Sequence, residues 1–99
     1  MDEVAVEFAS MLRKSFNVQS VMLFGSRARG DNLASSDYDF IIISKDFEKM
    51  DFVDRIKEVF KRTGAFINAD VLCYTPSEFN RKKSQVGTVR SAAKEAIAL

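Results

Sequence analysis

Three carboxylates, Asp37, Asp39 and Asp70, stand where aspartate is disfavoured: two at the start of one β-branched run and one inside another. Asp37 and Asp39 are two apart, so on an extended backbone both side chains point to one face and come near enough to share an ion. Asp70 completes a cluster if its run lies on the neighbouring strand. Two carboxylates about 4 Å apart repel by roughly 4 kcal/mol at an effective dielectric near ~20, so such a group needs a cation. Magnesium suits it, because it takes oxygen ligands, asks for only one or two protein carboxylates and completes its octahedron with water and substrate phosphates. A lone Asp-x-Asp also serves as a turn or helix-cap pair, but here Gly25-Ser26 precedes it where a strand should end and a helical turn begin. Backbone N–H groups at such a junction bind phosphate. Gly25 allows close approach, Ser26 adds a hydroxyl donor, and Arg27 and Arg29 offer charge to a polyphosphate.

Absences narrow the chemistry further. The 99 residues include no histidine and one cysteine, Cys73, so neither a Ser-His-Asp triad, a histidine-bearing zinc site nor an internal disulfide can be built from this chain. Cys73 reads as a buried small hydrophobe in a reduced, cytoplasmic setting. The spacing around Gly25 fits neither a Walker loop, a dinucleotide fingerprint nor a Gly-x-Ser-x-Gly elbow. The acidic start Met1-Asp2-Glu3 is unlike a secretory signal, and no apolar run approaches the ~20 residues of a membrane span. Net charge is +1, which makes nucleic acid an improbable partner, although residues 79–99 carry a local excess of +4 against −3 elsewhere, a candidate docking surface.

The elements that must position these groups follow from periodicity. Val4, Phe8, Met11, Leu12 and Phe16 recur at helical spacing and predict an opening amphipathic helix of about four turns. Val18 to Phe24 reads as a strand that stops at Gly25, with Ser26 as the cap of a short turn. Phe40 to Ile43 is apolar on both faces, as a central strand would be, and Tyr38 faces away from its flanking acids into the core. A helix capped by Asp51 and stopped at Gly64, a strand over Ala65 to Tyr74, a helical or turn segment from Pro76 to Lys83 and, over Thr88 to Ala98, either a final short helix or a helix running into a truncated strand complete the outline. Lys45, just after the second strand, could either be solvated or reach a triphosphate. The predicted architecture is one α/β (α+β) domain over residues 1–99, a small mixed sheet covered by helices.

Gly25-Ser26, ten residues, then Asp37-Tyr38-Asp39, with Asp70 on a later strand, resembles the nucleotidyltransferase signature of the DNA polymerase β superfamily. Phe24 to Gly30 with Ser36 to Phe40, and the strand Ala69 to Thr75, are similar to the small minimal nucleotidyltransferases of bacteria and archaea. The resemblance implies the polymerase β-like fold, with Gly25 and Ser26 holding the β and γ phosphates of ATP and Asp37, Asp39 and Asp70 holding two Mg²⁺ ions. Asp70 would also help deprotonate an acceptor hydroxyl at the catalytic metal. It further implies a HEPN-domain protein as partner: a toxin that the chain, as antitoxin, modifies by transferring AMP to a tyrosine. The implied alternative is a nucleotide-binding antitoxin that neutralises its partner by direct binding. Homo- or hetero-oligomers are compatible with either, and a chain of this size suggests that the acceptor arrives as a separate protein.

Overall fold

A computed structural model describes residues 2–99. Helix α1 (Glu3–Ser15) starts where the Asp2 carboxylate accepts from the Val4 and Ala5 N–H groups at 3.0 and 3.3 Å, and it buries Ala5, Phe8, Ala9 and Leu12. Strand β1 (Val18–Phe24) runs into a single turn, α2 (Ser26–Arg29). Strand β2 (Tyr38–Ser44) and a 3₁₀ turn (Lys45–Lys49) lead to α3 (Phe52–Thr63), capped by Asp51 and ended by Gly64 in the left-handed conformation. Strand β3 (Ala69–Tyr74), α4 (Pro76–Lys82), α5 (Thr88–Glu95) and the two-residue β4 (Ile97–Ala98) complete the chain.

The strands form one mixed sheet in the order β3-β2-β1-β4. Strand β1 is antiparallel to both of its neighbours, and α3 makes the crossover that lets β3 run parallel to β2. The central strand is buried on both sides because its alternate residues feed two cores. Phe40 and Ile42 join Phe8, Leu12 and Val59 under α1 and α3, with the Phe8 and Phe40 rings 4.8 Å apart. Ile41 and Ile43 meet Tyr74 and Ala92, with Val89 and Phe79 packed against them, under α4 and α5. Each such side chain contributes roughly 1.5–3 kcal/mol on burial, which makes this strand the stable frame of the site.

Helices α3 and α4 are joined by a partly buried ion pair. Arg55 is buried; it reaches Glu78 Oε1 at 2.6 Å and Oε2 at 3.2 Å, and also donates to the carbonyls of Cys73 and Met50. Glu78 in turn closes a capping box with Thr75.

The outline expected from periodicity is realised with local differences. Ser26 does not cap its turn; Gly25 holds the N-cap position without a side-chain bond. The strand expected from Ala65 begins at Ala69, because Ala65–Asn68 runs outside the sheet and leaves Phe66 fully exposed, with a relative exposure of 104%. The 3₁₀ turn after β2 has no apolar periodicity to announce it; Phe47 alone pins it to the core. Among the described residues, no helix is long and apolar enough to cross a membrane.

Candidate active site

Strands β2 and β3 enter the sheet side by side, and their register pairs Asp39 with Asp70. Adjacent strands lie about 4.8 Å apart, so both carboxylates emerge from one edge of one face. It is the face covered by α4 and α5, since Asp39 shares parity with Ile41 and Ile43, and Asp70 with Leu72 and Tyr74. Tyr38, on the opposite face, is buried and donates its hydroxyl proton to the Asp2 carboxylate at 2.8 Å. Burial pushes the Tyr38 phenol up, and the Asp2 carboxylate beside it adds to that.

Asp39 is half-buried, whereas Asp37 and Asp70 are open to solvent. Burial raises the Asp39 carboxyl above its ordinary value, and the charges of Asp70, Asp37 and Glu95 push the same way, opposed by Arg29. Among the described residues, no protein group donates a hydrogen bond to Asp37, Asp39 or Asp70. Nor do three carboxylate or thiol groups close on one point to form a ready-made metal cage. The arrangement is a crowded set of unpaired oxygens, and it fits a hard, oxygen-seeking divalent cation that takes one or two protein ligands and fills its shell from water and phosphate. Among the described residues, no histidine or cysteine stands beside these acids to favour a softer metal.

Gly25 follows Phe24, the antiparallel partner of Asp39. Its φ is +73°, and a Cβ at this position would collide with Asp39 Oδ2 and come within 3.2 Å of Cγ. Only glycine fits, both for backbone angle and for space. The turn therefore lies directly against the metal-competent carboxylate. Its carbonyl accepts from the Ala28 and Arg29 N–H groups, each at 3.1 Å, while the first N–H groups of the turn lack intrahelical partners. The Ser26 hydroxyl makes no protein hydrogen bond among the described residues. Gly25→Ala is expected to destabilise the fold by about 1–3 kcal/mol through backbone strain. By displacing Asp39 it should also lower site activity by about 10²-fold, readable by thermal unfolding beside a transfer assay.

The two arginines differ in placement. Arg27 points away from the acids: Nε donates to the Ser36 carbonyl and Nη2 to the Ala34 carbonyl, each at 3.0 Å, while its guanidinium lies 4.1 Å over the Tyr38 ring and 3.6 Å from Asp2. It clamps the loop that delivers Asp37, which makes it a positioning residue. Arg29 is exposed beside the acids and pairs with Asp31 and Glu95. Lys45 lies at the far end of β2 from Asp39, about 20 Å along the strand, out of reach of a phosphate held at Gly25. Glu95 was invisible as a site residue in sequence, sitting in a basic segment; its Oε1 accepts from the Gly25 N–H at 3.1 Å.

The sequence pattern of the family described as Polymerase beta, Nucleotidyltransferase matches residues 7–87. Among solved structures, a Sulfolobus solfataricus protein described as a candidate nucleotidyltransferase superposes with a TM-score of 0.69 at 28% identity, covering 97% of this chain and 76% of that one. BolA1 and the BolA domain of SufE1, both from Arabidopsis thaliana, superpose with a TM-score of 0.60 at 20% and 13% identity, covering 79% of this chain and 98% of each; they share the fold alone. No curated protein sequence matches the chain.

Proposed function

The chain belongs to the polymerase β nucleotidyltransferase family, and from that membership we propose that it transfers a nucleoside monophosphate, AMP from ATP, to a hydroxyl on a protein acceptor. The observation that carries this reading is the fit of Gly25 against Asp39, which sets the Gly25-Ser26 turn against a carboxylate pair formed in register by Asp39 and Asp70. Asp37, Asp39 and Asp70 would hold two magnesium ions, which lower the pKa of an attacking hydroxyl and neutralise the charge of departing pyrophosphate.

This chain's own residues do the rest. The Gly25-Ser26 turn holds the β and γ phosphates through the Ser26 and Arg27 N–H groups, the Ser26 hydroxyl and the Gly25 N–H that Glu95 occupies in the free chain, and Arg29 balances their charge. Arg27 keeps the Asp37 loop in place through two carbonyls. Asp70, exposed at the sheet edge, accepts the proton of the incoming hydroxyl. The openness of Asp37 and Asp70 gives a macromolecular acceptor access. The acceptor best matching the resemblance is a HEPN-domain toxin, with this chain as its antitoxin.

Incubation with α-labelled ATP, magnesium and the product of the adjacent gene tests the reading. Label appears on the partner and not on a partner whose acceptor tyrosine is replaced by phenylalanine. A partner neutralised without any label would show that binding alone suffices.

A further inference from the structure

Helix α5 ends in a carboxylate, against local preference. The last turn of a helix presents its negative pole, where a cation is favoured and an acid is not. Glu95 also adds its charge to a face already crowded by Asp39 and Asp70. Two tertiary contacts offset these costs. Oε1 accepts from the Gly25 N–H at 3.1 Å, and Oε1 and Oε2 take Arg29 Nη1 at 3.2 and 3.1 Å. An amide N–H and a guanidinium converging on two carboxylate oxygens form the same donor set that a phosphate group takes. The helix is aimed there because Val89 and Ala92 pack over Ile41 and Ile43, on the face that carries Asp39.

We infer that Glu95 is an internal substitute for a phosphate: it fills the anion seat made by the Gly25 N–H and Arg29, and sets nucleotide affinity by competing with the triphosphate for that seat. The inference rests on reading the Gly25 turn as the phosphate-binding element. For a nucleotide to take the Gly25 N–H, the Glu95 side chain must swing away. That movement is the side chain's alone, since the segment after it is held by the two residues of β4, by the Leu99 N–H on the Val21 carbonyl at 2.9 Å and by Arg13 Nη2 on the Leu99 carbonyl at 2.7 Å. Glu95 is thus an affinity-determining residue, acting through the seat it occupies.

Calorimetric titration of ATP, and separately of inorganic tripolyphosphate, each with magnesium, into wild type, E95Q and E95A tests this. Both probes bind E95A on the order of tenfold tighter than wild type. E95Q, which keeps an acceptor oxygen and loses the charge, falls between. Amide spectra show that each variant is folded, and the Gly25 amide proton moves upfield in E95A as its carboxylate partner is lost. Equal or weaker binding by folded E95A overturns the inference, even if wild type transfers nucleotide. Tighter tripolyphosphate binding by E95A, with no transfer by any variant, upholds the inference and removes the transferase reading. Failure of all three to bind either probe overturns both.

Discussion

Asp39→Asn lowers nucleotidyl transfer by on the order of 10³-fold, because a ligand oxygen and its charge leave the metal-competent face. The same substitution raises thermal stability. Asp39 is held above the ordinary carboxyl value by burial first, then by the charges of Asp70, Asp37 and Glu95. A carboxyl whose pKa is higher folded than unfolded loses stability as pH rises from the unfolded value through the folded one, so its ionised form opposes folding at neutral pH. Asparagine, neutral and of the same size, removes that penalty. Melting curves of the two chains should therefore converge in acid, where Asp39 is protonated in both states, and separate above it with the variant higher. A variant inactive because it is misfolded would melt lower, which makes the pair of measurements decisive.

Glu78→Gln costs about 3 kcal/mol at pH 7, roughly 15 °C in melting temperature for a domain of this size. Arg55 lowers the Glu78 carboxyl from 4.5 to about 2, chiefly through the bidentate hydrogen bond; burial opposes this and the Thr75 backbone assists it. Here the folded pKa is depressed, so the contribution is full above the unfolded value and is lost as pH falls from about 4.5 toward about 2. Denaturant unfolding between pH 6 and pH 2 should show wild type losing this increment while the Glu78→Gln chain loses less over the same range. Removing the acid leaves Arg55 buried without its counter-charge, a worse state than never having formed the pair. The effect on transfer should be smaller, since the pair ties α3 to α4 at the end of β3 opposite Asp70.

These two residues mark the difference between what periodicity announces and what packing decides. Asp39 was legible because an acid at the head of an apolar run breaks a strong local preference, and a broken preference in a strand needs an explanation. Glu78 was not, since an acid three residues after Thr75 in a helix looks like an ordinary capping box; its second role requires Arg55, 23 residues earlier, to be buried against it. Arg27 and Arg29 show the same limit on a shorter span. Two arginines separated by one alanine read as equivalent phosphate ligands, yet one turn of helix sends Arg27 toward the Ser36 carbonyl and Arg29 toward Glu95.

The chain's local order was carried by its own residue types. Apolar spacing set α1 and α3, β-branched runs set β1 and β2, Asp51 and Gly64 bounded a helix, and Gly25-Ser26 with three acids in apolar company marked the candidate site. Those signals are legible because each depends on contacts with the element's own neighbours or on a uniform demand for burial, which every residue meets with its own side chain. Tertiary structure alone decided the parallel register that places Asp70 beside Asp39, the close approach that excludes any Cβ at Gly25, and the delivery of Glu95 to the Gly25 N–H across 70 residues of sequence. Such pairings depend on which surfaces meet once the sheet has closed, and no periodicity within either partner encodes the other.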